Sequence, residues 1–274
     1  MFGMAYADEV QKGFLERQKN GVIFYTVPSF EALGIRHGFT SRVGGISDGP
    51  FSSLNLSFKR EPSPERVREN FRRAAAAMGM QAEQLVVCNY EHGNQVEFVD
   101  ERHHGMGIFR ENELPKCDGV CITAPGTVGV SLHADCNSLF FLDQKLRAAS
   151  VCHAGWKGTL SGIAQTAVQK LQSLGIALDE ILVGIGPSIC GHCYEIQEDV
   201  AKLFEPEYPA AVLRGGDGIH LDLWAVLLAQ FENLNIPPEN ITLSGLCTYD
   251  NSERFFSHRR DHGKTGAMGS FIAL

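Results

Sequence analysis

The sequence predicts an α+β (mixed α/β) fold: mixed β-sheets packed together, with helices on the outer faces of a single large domain. Three observations point there. Short apolar runs outnumber helical stripes and often follow one another directly, unlike the regular alternation of a doubly wound sheet. The helical stripes are amphipathic, so each has one face to lay against a sheet. No internal repeat, low-complexity tract or charged linker divides the 274 residues, a length sufficient to bury a substantial core.

Taken in order, residues 1–20 are polar and weakly periodic and read as a weakly ordered leader to a domain spanning 21–274. Residues 34–57 are rich in Gly, Ser and Asn, the composition of short strands and turns. A helix is predicted over Pro64–Met78, with proline at its first position, an apolar stripe through Val67, Phe71, Ala74, Ala75 and Met78, and Gly79 to close it. A second is predicted from Gly158 to Leu174, ending at Gly175, and a third over Leu221–Leu234 before Pro237-Pro238. Strands are expected at Leu85–Cys88, Val96–Val99, Gly119–Thr123, Val128–Leu132, Leu139–Leu142, Ala148–Cys152, Ile181–Ile185, Ile241–Gly245 and Ser270–Ala273.

Composition narrows the function classes. Twenty-four Lys+Arg against 32 Asp+Glu give a formal net charge of -8, which argues against a nucleic-acid binder. No apolar stretch reaches the roughly 18–20 residues of a membrane span, and Asp8 and Glu9 interrupt any signal-peptide pattern. The expected location is the cytoplasm, where the eight cysteines read as reduced thiols. Nothing in the chain specifies an oligomeric state.

The most informative segment runs from Val128 to Gly158. An alternating strand enters His133-Ala134-Asp135-Cys136, a second apolar strand follows, and a third leads to Cys152-His153-Ala154-Gly155-Trp156-Lys157-Gly158. If the last two strands fold between Gln144 and Lys145, Cys136 stands opposite His153. Side chains so opposed have Cβ atoms roughly 4.5–5.5 Å apart, close enough to share an ion. The plain alternative is a cysteine and a histidine that serve only the core; the crowding of Asp135, Cys136, Cys152 and His153 at one hairpin end argues for more. Beyond His153, a glycine-rich turn passing into a helix, with Lys157 beside it, suits a phosphate; a tight turn without a ligand has the same spacing. Trp156 reads either as packing or as the wall of an aromatic ligand site.

Other segments are ambiguous alone. Cys190-Gly191-His192-Cys193 has the spacing of a redox pair or half a zinc site, yet no second such pair exists and the flanking Pro187 and Gly191 suggest a loop. Arg259 and Arg260, in a donor-rich run, are candidates to clamp a phosphate or carboxylate, one of them expected to point each way. Cytidine-type zinc deaminases require His-x-Glu, which is absent. Ten scattered histidines without a His-x-His pair cannot ligate four coppers.

Together these segments resemble the YfiH-like family, described both as laccase-domain polyphenol oxidases and as purine nucleoside phosphorylases with adenosine deaminase activity. The matching pieces are His37-Gly38-Phe39-Thr40 with Gly44-Gly45, Ser53-Leu54-Asn55-Leu56, Asp118-Gly119 with Thr123, Ala134-Asp135-Cys136, His153-Ala154-Gly155-Trp156-Lys157-Gly158, Gly186-Pro187-Ser188-Ile189 with Tyr194-Glu195, and Phe256-Ser257-His258-Arg259-Arg260-Asp261 with Thr265-Gly266. The chain departs from the family pattern at Tyr90-Glu91, where Gln-Val is usual, at Asn137-Ser138, and at Ala267, where arginine is common.

The resemblance implies a metal site of two histidines and one cysteine, carried here onto His92, Cys136 and His153. It also implies phosphorolysis of adenosine, inosine, guanosine and methylthioadenosine, and deamination of adenosine. The expected cofactor is Zn2+, with Cu2+ also compatible with imidazole and thiolate. Expected partners are purine nucleosides and phosphate, with no nucleic acid and no membrane. Asp135 is the candidate acid/base or orienting carboxylate, with Cys136 as catalytic ligand. Trp156, Lys157, Gly158, Arg259 and Arg260 are the candidates for substrate and phosphate. Three rival readings stay open: a cysteine hydrolase using Cys136 and His153, a copper-dependent polyphenol oxidase, and a metal-binding protein without turnover.

Overall fold

A computed structural model describes residues 4–59 and 61–274. Two sheets face each other. The seven-stranded sheet runs in the order β1 (Gln11–Lys12), β15 (Ile241–Leu243), β11 (Ile181–Ile185), β9 (Asn137–Asp143), β10 (Ala149–Ala154), β7 (Gly119–Ile122) and β6 (Val96–Val99). The six-stranded sheet runs β2 (Leu15–Lys19), β3 (Val22–Thr26), β4 (His37–Thr40), β16 (Met268–Ala273), β8 (Val128–His133) and β5 (Leu85–Val87). Both mix parallel and antiparallel pairs. A small antiparallel sheet of β12 (Glu195–Ile196), β14 (Gly218–Leu221) and β13 (Val212–Gly215) lies apart from them.

Period-2 alternation sorts side chains into layers. On β3, Ile23 and Tyr25 join the core between the sheets, while Val22 and Phe24 face the other way. That outer face is covered by the helix α3 (Pro64–Ala77) through Val67, Phe71, Ala74 and Ala75. On β9, Phe140 and Leu142 point between the sheets, and Leu139 and Phe141 point toward α5 (Ile163–Gln172) and α7 (Leu223–Asn233). Helices therefore cover both outer faces, as expected. Gly129 lets the two sheets approach: a Cβ there would stand 2.9 Å from Val120 Cγ2 and 3.3 Å from Val151 Cγ1. The remaining helices, α1 (Met4–Glu9), α2 (Pro28–Ala32), α4 (Trp156–Leu160) and α6 (Glu198–Phe204), are short. No helix among the described residues is long and apolar enough to cross a membrane.

Two expectations change. The predicted helix from Gly158 to Leu174 is two helices, α4 and α5, broken at Gly162, which adopts a left-handed φ of 82°. Residues 4–20 of the expected leader are ordered into α1, β1 and β2, and residues 1–3 lie outside the described residues. The exposed β2 carries no apolar alternation; it is a strand because Asn20-Gly21, both at positive φ, turn the chain so that Lys19 pairs with Val22.

One buried residue makes stability depend on pH. His37 accepts a hydrogen bond at Nε2 from the Val27 N–H (2.7 Å), and its Nδ1 lies 2.9 Å from the Ile35 carbonyl, an arrangement that suits the neutral ring. Burial lowers its pKa from the usual 6.5 to about 4. Between those values the unfolded chain takes up a proton that the folded chain refuses. The contribution of His37 is therefore fully present above about pH 6.5 and is lost as the pH drops toward 4, by up to about 3 kcal/mol. Of the stability lost between urea melts at pH 7 and pH 4.5, about 2 kcal/mol should come from His37, and a His37→Gln variant, lacking the titrating ring, should lose that part of the difference.

Candidate metal and substrate site

The site forms where the chain changes sheets. The six-stranded sheet's β8 ends at His133, and Ala134-Asp135-Cys136 carry the chain into β9 of the seven-stranded sheet. Asp135 makes the crossing with φ 84°, a conformation that short polar side chains tolerate better than most. On the neighbouring β10, Ala149 and Val151 point between the sheets, and alternation puts His153, 4% exposed, on that same face at the open end. Three rings surround it, with centroids at 5.2 Å (His92), 5.5 Å (Tyr90) and 5.6 Å (His133).

The hairpin register differs from the expected one by two residues. His153 pairs with Ser138, and Ala154 with Asn137, because the turn spans Asp143 to Ala148 and is centred one residue later. A shift of two preserves the face that each side chain presents, so Cys136 and His153 still meet. Cys136 lies just beyond the paired strand, alongside Gly155. A Cβ on Gly155 would stand 3.3 Å from Cys136 Sγ and 3.8 Å from His153 Nε2.

Asp118, which the sequence placed in a family-pattern segment but not among the site residues, organises the two histidines. It is fully buried in front of β7, and its Oδ1 lies 3.0 Å from His153 Nδ1. The same carboxylate accepts N–H bonds from Glu91 (3.2 Å), His92 (3.1 Å) and Gly93 (2.8 Å). One group thus orients the His153 ring and seats the loop that carries His92, itself at φ 62°. Burial alone would raise the pKa of Asp118, but the His153 and backbone hydrogen bonds outweigh it and lower the value. Burial likewise opposes a charge on His153; Cys136 and Asp118 prevail, and its pKa is pushed up to about 9. His92 moves the other way, through burial and then the charge of His153.

These residues fit a divalent ion. His92, Asp118 and His153 offer ligand atoms all within 4.8 Å of one another, and Cys136, outside that set, stands close enough to His153 to raise its pKa. With Nδ1 committed to Asp118, His153 turns Nε2 outward, the carboxylate–histidine arrangement common behind metal ligands. Imidazole and thiolate are the donor types that hold zinc or copper.

The expected substrate residues divide. Lys157 is exposed and, with Lys59, contributes to lowering the pKa of His92, so two positive charges act on the ring. The helix beside it, α4, has only five residues, too few for the dipole that a long helix would supply. Trp156 packs partly buried against the apolar cluster of α6 and β14, in the packing role. Gly158 has a steric role: a Cβ there would stand 2.7 Å from the Gly93 carbonyl oxygen. A Gly158→Ala variant is therefore expected to push the His92 loop away, costing about 1–3 kcal/mol and weakening metal retention; thermal melting and metal analysis would check both.

Arg259 stacks on Tyr194 with its guanidinium carbon 5.0 Å from the ring centre and donates to the Glu195 carbonyl. Arg260 is corrected from an anion clamp to a structural residue. It donates to the carbonyls of Thr248, Tyr249 and Phe255 and to both oxygens of Asp261, which occupies all five guanidinium N–H groups. Asp135 is committed in the same way. It accepts from Thr248 Oγ1 (2.7 Å), Ser257 Oγ (3.0 Å) and the Arg259 N–H (2.7 Å), an orienting carboxylate in its bonding.

Comparison with known proteins matches this fold. Residues 36–274 match the family described as multi-copper polyphenol oxidoreductase laccase, and the chain belongs to that laccase-like YfiH family. Among its relatives, a purine nucleoside phosphorylase of Deinococcus radiodurans is 36% identical over 88% of this chain and 90% of its own. Purine nucleoside phosphorylase YlmD of Bacillus subtilis is 33% identical over 86% and 87%. The crystal structure of YlmD from Geobacillus stearothermophilus superposes with a TM-score of 0.87 at 32% identity, over 95% of this chain and 98% of that one.

Proposed function

We propose that the protein is a metal-dependent purine nucleoside phosphorylase that also deaminates adenosine, its ion held by His92, Cys136 and His153. The observation that carries this reading is the single buried carboxylate of Asp118, bonded to His153 and to the backbone of His92, which preorganises both imidazoles. The relatives named purine nucleoside phosphorylase support the substrate class.

When bound, the ion, zinc in this reading, supplies Lewis acidity toward a substrate heteroatom or water. The chain's own residues do the rest. Asp118 fixes the tautomer of His153 and leaves Nε2 for the ion. Lys157 and Lys59 draw inorganic phosphate toward the His92 side of the site. Arg259, steadied on Tyr194, offers planar donors to a phosphate or ribose oxygen. In phosphorolysis a phosphate oxygen forms the new bond to ribose C1′ while the C1′–N9 bond breaks, and the purine leaves with a proton. In deamination water replaces the 6-amino group, which leaves as ammonia.

One observation favours a second reading. His153, with Asp118 bonded behind it and Cys136 close by, also suits the base, orienting carboxylate and nucleophile of a cysteine hydrolase. Purified protein assayed with adenosine and phosphate, with and without a chelator, separates the two. Adenine or inosine formed only with metal present supports the phosphorylase; turnover indifferent to chelation supports the thiol enzyme. Unchanged nucleoside under every condition defeats the proposal.

A further inference from the structure

Folding supplies the missing half of the Cys190/Cys193 pair. Cys190, Cys193, Cys247 and Asp250 offer ligand atoms all within 4.8 Å of one another. The two contributions share one spacing, Cys190-x-x-Cys193 and Cys247-x-x-Asp250, on segments that follow β11 and β15. Those segments run side by side: Ser188 N–H donates to the Leu246 carbonyl (3.1 Å), and Thr248 N–H to that of Ser188 (3.0 Å). A tight turn, in which the N–H groups of Cys193 and Tyr194 both donate to the Cys190 carbonyl, brings the first two sulfurs to one side. Gly191 makes room for it, since a Cβ there would stand 2.7 Å from that of Asp222.

We propose that Cys190, Cys193, Cys247 and Asp250 form a second metal site, a tetrahedral Cys3Asp zinc centre that staples these two segments together. Cys193 Sγ is 3.3 Å from Asp250 Oδ1, and Cys190 Sγ is 4.0 Å from Oδ2. Zinc with sulfurs at ~2.3 Å holds neighbouring ligand atoms about 3.5–3.8 Å apart, so little movement is needed. The Cys190 N–H points at Cys247 Sγ (3.4 Å), which orients that sulfur. Three sulfurs and an exposed carboxylate suit zinc over magnesium or calcium, and Asp250 gives the ion a path from solvent. All four positions being filled by protein, the centre is structural. Its ligands are next-door neighbours of catalytic-site supports: Thr248 beside Cys247 bonds Asp135, and Tyr194 beside Cys193 carries Arg259.

The test uses the full chain with Cys136→Ser, which removes the thiol of the first site. Cobalt added to this variant should produce a sulfur-to-cobalt charge-transfer band and the strong visible bands of a tetrahedral centre, at one ion per chain. Adding Cys193→Ser or Cys247→Ser should abolish them. Asp250→Ala, a change at an exposed side chain that spares the core, should weaken cobalt binding at least about tenfold. The proposal is overturned if the Cys136→Ser protein gives no thiolate band, if the band survives loss of Cys193, or if freshly purified protein carries a Cys190–Cys193 disulfide.

Discussion

His153→Ala is expected to lower the kcat/KM for adenosine phosphorolysis at least about a hundredfold and to strip the first site of its metal. Two effects add. The substitution removes a donor at the centre of the ring cluster, and it leaves Asp118 fully buried without its imidazole partner. Steady-state kinetics, metal analysis and a thermal melt on the same preparation keep the causes apart, since a folded protein without metal or turnover is the expected outcome. Asp118→Asn should follow in the same direction with a smaller loss, about 10–100-fold, because the one amide oxygen still accepts on one side, while its NH2 faces N–H donors on the other and the charge that supports His153 is gone. Wild-type turnover by the His153→Ala enzyme would remove this histidine from the mechanism.

The second large effect is on stability. Asp135→Ala should destabilise the fold by about 4 kcal/mol and lower Tm by about 10 °C. The carboxylate is 7% exposed and is the acceptor for Thr248, Ser257 and Arg259, so alanine strands three donors and must also adopt a left-handed backbone. Asp135→Asn, which tolerates that backbone, distinguishes the roles once expected of this residue. An orienting role predicts that stability and activity fall together; a direct acid/base role predicts lost activity in a protein of nearly normal Tm. Differential scanning calorimetry alongside the nucleoside assay reads both.

The candidate site was partly legible in the chain because strands carry their own geometry. Alternation in β8, β9 and β10 placed His153 and Cys136 on neighbouring strand ends, and even a register wrong by two residues kept them on one face. Asp118 was invisible as a site residue: its partners lie 25 to 35 positions away in sequence, and nothing local marks an aspartate before a strand as the acceptor of four hydrogen bonds. Arg260 misled for the mirror-image reason. A donor-rich run suggests an anion, and only the folded loop shows carbonyls and Asp261 already occupying every N–H.

By itself the sequence determined what depends on short-range periodicity: the buried strands, α3 and α7, the mixed class of fold, and the pairing of a thiol with an imidazole at one hairpin end. Tertiary structure alone decided which polar groups are spent internally and which remain for chemistry. It aligned β2 by pairing rather than by hydrophobicity, split one predicted helix at Gly162, and joined Cys190-x-x-Cys193 to a distant Cys247-x-x-Asp250. The physical reason is that apolar burial is written along the chain at fixed periods, whereas a hydrogen bond or ligand set is a matter of ångströms between segments whose separation in sequence carries no such period.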